Sequence, residues 1–245
     1  YEMDLELFET KVSQKNIKLF IMSNPHNPVG RVWTRDELKA VLDLCRKHGV
    51  YVISDEIHSD LILPGYRHTT AATVGEYDSI LVTLTSASKT FNLAGCQNAC
   101  VIIPNDAIRA KFKGYARKIH IDQGNNFSYI AYEAAWKYGR EWLDELLQLI
   151  EDNYRALVNG LAEVLPGAIV MKLEGTYLAW IDLEAYLGGM GGERALIERC
   201  KVAPDFGDWF GSDYASDYDD FIRINLATSP ENVEEIVRRL GKLAW

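Results

Sequence analysis

The chain has 245 residues, 48% of them apolar, enough for one large core or two modest ones. A net charge of -9 and the lack of any Lys/Arg cluster argue against a nucleic-acid groove as its main role. Its longest apolar runs are strand-length, which excludes a transmembrane helix.

The opening YEMDLELFETK is acidic and amphipathic, unlike a signal peptide. The chain begins with Tyr1 rather than Met and is read as a trimmed product or a fragment. IKLFIM (17–22) reads as a buried strand, followed by the loop SNPHNPVG. Thr34 and Glu37 have capping-box spacing, Leu38, Val41, Leu42 and Cys45 recur at helical intervals, and Gly49 suits a C′ position. With VYVIS next, this is a β-α-β unit, which implies parallel strands and a right-handed crossover.

SILVTLT (79–85) is a third strand and ACVII (99–103) a fourth, stopped by Pro104. Helices are expected over about 105–120, 127–138 and 140–164. AIVMKL and TYLAWIDL then alternate like strands with one solvated face. ALIERCKV reads as a helix, FIRINLA as a strand, and PENVEEIVRRLGKL as a helix with Pro230 in its first turn. GGMGG (188–192) reads as a flexible turn, since no strand-to-helix context makes it a phosphate loop. The expected organisation is a mostly parallel α/β domain over 1–136 and a smaller α+β domain over 137–245. Cys45, Cys96, Cys100 and Cys200 lack zinc spacing and read as reduced thiols in a cytoplasmic protein.

Ligands of open parallel sheets bind beyond the carboxyl ends of the strands. Three such ends carry polar groups: Asn24 and Asn27; Asp55, Glu56 and His58; and Ser86, Ser88 and Lys89. A lysine near apolar walls and other cations has a depressed pKa and can form a Schiff base. Hydroxyls can bind phosphate oxygens, a carboxylate can hold a protonated ring nitrogen, and an amide can donate to a phenolate. Together these meet the needs of pyridoxal phosphate (PLP), an electron sink only while its ring nitrogen keeps its proton. Blander roles exist for each. Asp55 could cap a helix starting at Glu56, Asn24 and His26 suit turns, and Arg223 could pair with an acid of the 213–220 run. DFGDWFGSDYASDYDDF (205–221) is either a solvated loop or a flap whose Asp205 and Asp208 disfavour acidic substrates.

NPHNPVG, SDEIH, SASKTFNLAG and FIRIN, in this order, resemble fold-type I PLP-dependent enzymes, the aspartate aminotransferase superfamily. The longer stretches NPHNPVGRVWTRDEL, HGVYVISDEIHSDL and EGTYLAWIDL resemble its cystathionine β-lyase and C–S lyase branch. The resemblance implies that Lys89 carries the cofactor and later moves the α-proton. It implies that Asp55 pairs with the pyridinium nitrogen, Asn27 bonds O3′, and Ser86 and Ser88 contact the phosphate. Arg223 would grip the substrate α-carboxylate, a charge-assisted pair contributing about 1.5–3 kcal/mol. His58 stands where aminotransferases commonly carry a tyrosine that contacts O3′, and is taken as a cofactor contact.

The implied reaction is α,β-elimination of a sulfur-containing L-amino acid by a cytoplasmic homodimer, giving a thiol, pyruvate and ammonia. No nucleic-acid or membrane partner is expected. An aminotransferase is the alternative within the same family. Family members also carry a segment before the position matching Tyr1, with a phosphate loop, a ring-stacking aromatic and interface residues. An inactive remnant is therefore a further alternative. A regulatory effector domain ranks below it, because neither end shows a basic helix-turn-helix.

Overall fold

The computed structural model describes residues 1–14, 16–188, 195–211 and 218–244. The chain divides into two compact units, one of residues 1–26 and 31–144, the other of residues 27–30 and 145–245.

The first unit opens with helix α1 (Leu5–Gln14) and strand β1 (Leu19–Ser23). Helix α2 (Arg35–Lys47) starts at the expected capping box: Thr34 Oγ1 accepts from the Glu37 amide and the Glu37 carboxylate accepts from the Thr34 amide. It ends before Gly49, whose φ of +66° suits the left-handed region. Strand β2 (Tyr51–Asp55) and strand β3 (Leu81–Thr85) follow, then the one-turn helix α3 (Ala87–Thr90) and strand β4 (Cys100–Ile102). Helices α4 (Asp106–Lys118) and α5 (Asn126–Tyr138) complete the unit, joined by the start of the long helix α6 (Arg140–Val164).

Sheet order is β1-β2-β3-β4. β1/β2 and β2/β3 are parallel and β3/β4 is antiparallel, so the sheet is mostly parallel, as expected. Side chains alternate across it. Met22, Val52 and Leu81 face α2 and form a core with Leu38, Val41, Leu42 and Cys45. Burial pushes the Cys45 thiol up to about 12, so it packs as a small apolar group. On the other face Leu19, Ile21 and Tyr51 are exposed.

The second unit holds most of α6, strands β5 (Ile169–Val170) and β6 (Leu178–Asp182), the short helix α7 (Glu184–Leu187), strands β7 (Asp205–Phe206) and β8 (Phe221–Asn225), and helix α8 (Pro230–Leu240). Its sheet runs β5-β6-β8-β7, all antiparallel. Ile150, Leu157 and Leu161 are the buried stripe of α6. Asn153, on the same stripe, donates to the Leu226 and Thr228 carbonyls at 2.9 Å each. No helix among the described residues is long and apolar enough to cross a membrane.

Two local expectations are corrected. AIVMKL pairs only at Ile169–Val170, with one further bond from the Met171 amide to the Trp180 carbonyl. β6 has no solvated face: Leu178 to Ile181 are all buried, because Trp180 on one side is enclosed by Phe210, Tyr218 and Phe221. Ala195–Cys200 is helical as expected, and winds as a π-helix. The GGMGG turn lies, after Gly188, outside the described residues.

Candidate active site

In the first unit the strand ends are fastened to one another. The Asn24 amide donates to the Asp55 carbonyl at 2.9 Å, and the Glu56 amide to the Leu84 carbonyl at 2.8 Å. These bonds carry the ladder past the last paired residues and fix where Asp55 leaves the sheet. The half-buried Asp55 carboxylate accepts the Ile57 amide at 3.1 Å. That side-chain turn, not a helix cap, accounts for the local geometry: residues 56–60 form no helix.

Glu56 turns the other way and is buried. Its Oε1 accepts from Ser54 Oγ and from the Ala71 amide, and its Oε2 from His68 Nε2, each at 2.9 Å. An acceptor-only group thus meets three donors, which compensates its desolvation. His68 Nδ1 is buried and finds no partner among the described residues, which fits the tautomer with its proton on Nε2. His58 is also buried, at 3% exposure, and its carbonyl accepts the Leu61 amide.

Lys89 sits half-buried on α3, directly after β3. Ser86 is the N-cap of this turn, its Oγ accepting from the Ser88 amide at 3.0 Å. The same oxygen lies 2.8 Å from the Asn98 carbonyl and 3.1 Å from Tyr132 Oη, which itself donates to Asn98 at 2.7 Å. Ser86 is 1% exposed and Ser88 8% exposed. Thr90, fully buried, donates to Asp60 Oδ2 at 3.0 Å. The lysine therefore rides on a turn pinned at both ends.

In the second unit Arg223 projects from β8. Its Nε and Nη2 donate to Asp205 Oδ2 at 3.0 and 2.6 Å, and its Nη1 to Asn27 Oδ1 at 2.7 Å. The guanidinium lies over the Phe210 ring, 4.7 Å from its centroid. The register of β7 on β8 sets Asp205 directly opposite Arg223. An acid therefore does pair with Arg223, but it is Asp205 rather than a described member of the 213–220 run. Burial raises the Tyr177 phenol, and the nearby Arg223 charge partly offsets this. Gly30, which ends NPVG, has φ +81°, and a Cβ there would lie 2.6 Å from Leu173 Cδ1.

Sequence reasoning singled out Asp55, His58, Ser86, Ser88, Lys89, Asn27 and Arg223. The structure brings the first five onto the ends of β2 and β3, and the last two into contact. It missed the support beneath them: His68, Tyr132, Asp60, and Asp205 as the partner of Arg223. Thr90 follows Lys89 directly and Asp60 stands five residues after Asp55, so proximity to motif residues was the one available signal for that pair.

A family model described as "Aminotransferase class I and II" matches residues 1–240. Cystathionine beta-lyase PatB of Bacillus subtilis is 39% identical over 242 residues, covering 98% of this chain and 62% of PatB. Cystalysin of Treponema denticola, whose crystal structure contains a pyridoxal 5'-phosphate cofactor, superposes with a TM-score of 0.94 at 35% identity; the match covers all of this chain and 61% of cystalysin. A PLP-bound C-S lyase from Staphylococcus hominis gives a TM-score of 0.92 at 32% identity, with 63% of that chain covered. The chain thus spans about three fifths of the length of these relatives. The family model runs nearly end to end through the ordered motifs NPHNPVG, SDEIH, SASKTFNLAG and FIRIN, and the chain belongs to the class I and II aminotransferase family.

Proposed function

We propose that this chain carries catalytic residues of a PLP-dependent lyase that removes a thiol from the β-carbon of a sulfur-containing L-amino acid. The observation that supports this most is the placement of a carboxylate, Asp55, as the last residue of β2, and an amine, Lys89, on the turn just after the adjacent parallel strand β3. The donor set fits PLP: one primary amine, one carboxylate, and two buried hydroxyls on the lysine's own turn. When bound, PLP supplies an aldehyde for amines and a ring that accepts electrons from the substrate α-carbon.

The chain's own residues would act as follows. The Lys89 amine holds the cofactor and takes the proton from the α-carbon. Asp55 keeps a proton on the ring nitrogen. Ser86 and Ser88 would hold the phosphate, Asn27 would donate to O3′, and His58 would be a further contact to the cofactor. Arg223 binds the α-carboxylate and so sets which α-bond is presented for cleavage. With the Cα–H bond broken, the Cβ–S bond breaks and a thiol leaves. The three-carbon remainder loses ammonia to water and becomes pyruvate.

In this reading residues 1–136 belong to the cofactor domain and 137–245 form the smaller domain of a cytoplasmic homodimer. The test is cystathionine supplied without a keto acid. Pyruvate and free thiol are expected. Their absence, with amino transfer that depends on a keto acid, would assign an aminotransferase instead. Neither activity would assign an inactive remnant.

A further inference from the structure

Arg223 is the cation read above as the carboxylate binder, and this inference rests on that reading. Its guanidinium does not wait with an open edge. One carboxylate oxygen, Asp205 Oδ2, takes both Nε and Nη2, at 3.0 and 2.6 Å. Asn27 Oδ1 takes Nη1 at 2.7 Å. The contact is set by the backbone, since Asp205 and Arg223 are register partners on β7 and β8. It is also accessible: both residues line a cleft of about 560 Å³, and the Asp205 side chain is 40% exposed against 17% for Arg223. A small carboxylate can therefore reach the pair.

We propose that Asp205 is a specificity-determining residue that occupies the Arg223 fork as an internal competitor. A ligand carboxylate must displace the Asp205 carboxylate to make the same hydrogen bonds. Once displaced, Asp205 is a fixed anion beside the occupied fork. A ligand with a neutral tail tolerates that charge, whereas a second carboxylate is repelled by it. The site is thereby biased toward amino acids whose far end carries no net negative charge, the zwitterionic end of cystathionine among them, and away from ligands with an anionic far end such as succinate.

The test measures dissociation constants by calorimetry with two probes that have no amine to react. 3-(Methylthio)propanoate offers one carboxylate and a thioether, and succinate offers two carboxylates. Asp205→Asn keeps shape and hydrogen bonding but removes the charge. Asp205→Ser, also compatible with a strand edge, guards against a misfolded first variant. Both variants are expected to bind 3-(methylthio)propanoate about two- to fivefold more tightly, the range of a partly exposed ion pair. Succinate should gain more, lowering the ratio of the two constants by at least about twofold. Weaker monocarboxylate binding would make Asp205 an anchor that orients Arg223, and would overturn the inference, as would an unchanged ratio. Arg223→Lys should lose most binding of both probes. Undiminished binding there would instead refute the carboxylate reading of Arg223, and with it this proposal.

Discussion

Replacing Glu56 by Gln changes one atom and should cost far more than its size suggests. The carboxylate serves three donors: Ser54 Oγ and the Ala71 amide on Oε1, and His68 Nε2 on Oε2. A glutamine has only one oxygen. If it stays on Ala71 and Ser54, the new NH2 faces His68 Nε2, which must give up its proton. That proton moves to Nδ1, which is buried with no partner among the described residues. If the amide flips, its NH2 faces the Ala71 N–H instead. Either way one buried donor is orphaned, at about 1–3 kcal/mol, and the surviving bonds lose their charge assistance, worth about 1 kcal/mol more. Urea unfolding followed by fluorescence should show a loss of about 2–4 kcal/mol with an unchanged m-value. In a cycle with His68→Phe, the two single losses should not add, because each removes the same contact. A Gln variant within 0.5 kcal/mol of the parent, as for an ordinary surface change, would refute the argument.

Other outcomes follow from single contacts. Burial first, then the Arg31 charge, holds His26 down at about 4, against an ordinary 6.5. The unfolded chain therefore binds the extra proton between those values. Stability is complete above pH 6.5 and falls as pH drops toward 4, by about 3 kcal/mol at most. His26→Gln should flatten that part of a stability–pH curve, and an unchanged slope would contradict it. Gly30→Ala meets both a left-handed backbone and the Leu173 side chain, so a loss above about 1–2 kcal/mol is expected in thermal unfolding. Tyr132→Phe removes a donor to the Asn98 carbonyl beside Ser86, and should cost about 0.5–1.5 kcal/mol, read by the same unfolding assay.

What the sequence revealed was local. Thr34 and Glu37 announce their capping box three residues apart, and the apolar stripe from Leu38 to Cys45 is the one that packs on β2. Lys89 and Asp55 stood out because polar groups followed strand-like runs, and Arg223 because FIRIN resembles a motif of the family. What stayed hidden depended on register and on approach through space. Asp205 meets Arg223 only because β7 lies antiparallel on β8 with those two residues opposed. Glu56 meets His68 across a loop of irregular length. Trp180 is enclosed by aromatics from a distant stretch, and no alternation along β6 could report that both faces would be covered.

The central claim is that the Lys89 amine carries the cofactor. Protein incubated with PLP, reduced with borohydride, digested and mapped by mass spectrometry tests it directly. One pyridoxyl group is expected on the peptide containing Lys89, and none in a Lys89→Ala variant. A label on another lysine, or equal labelling of the variant, would contradict the account.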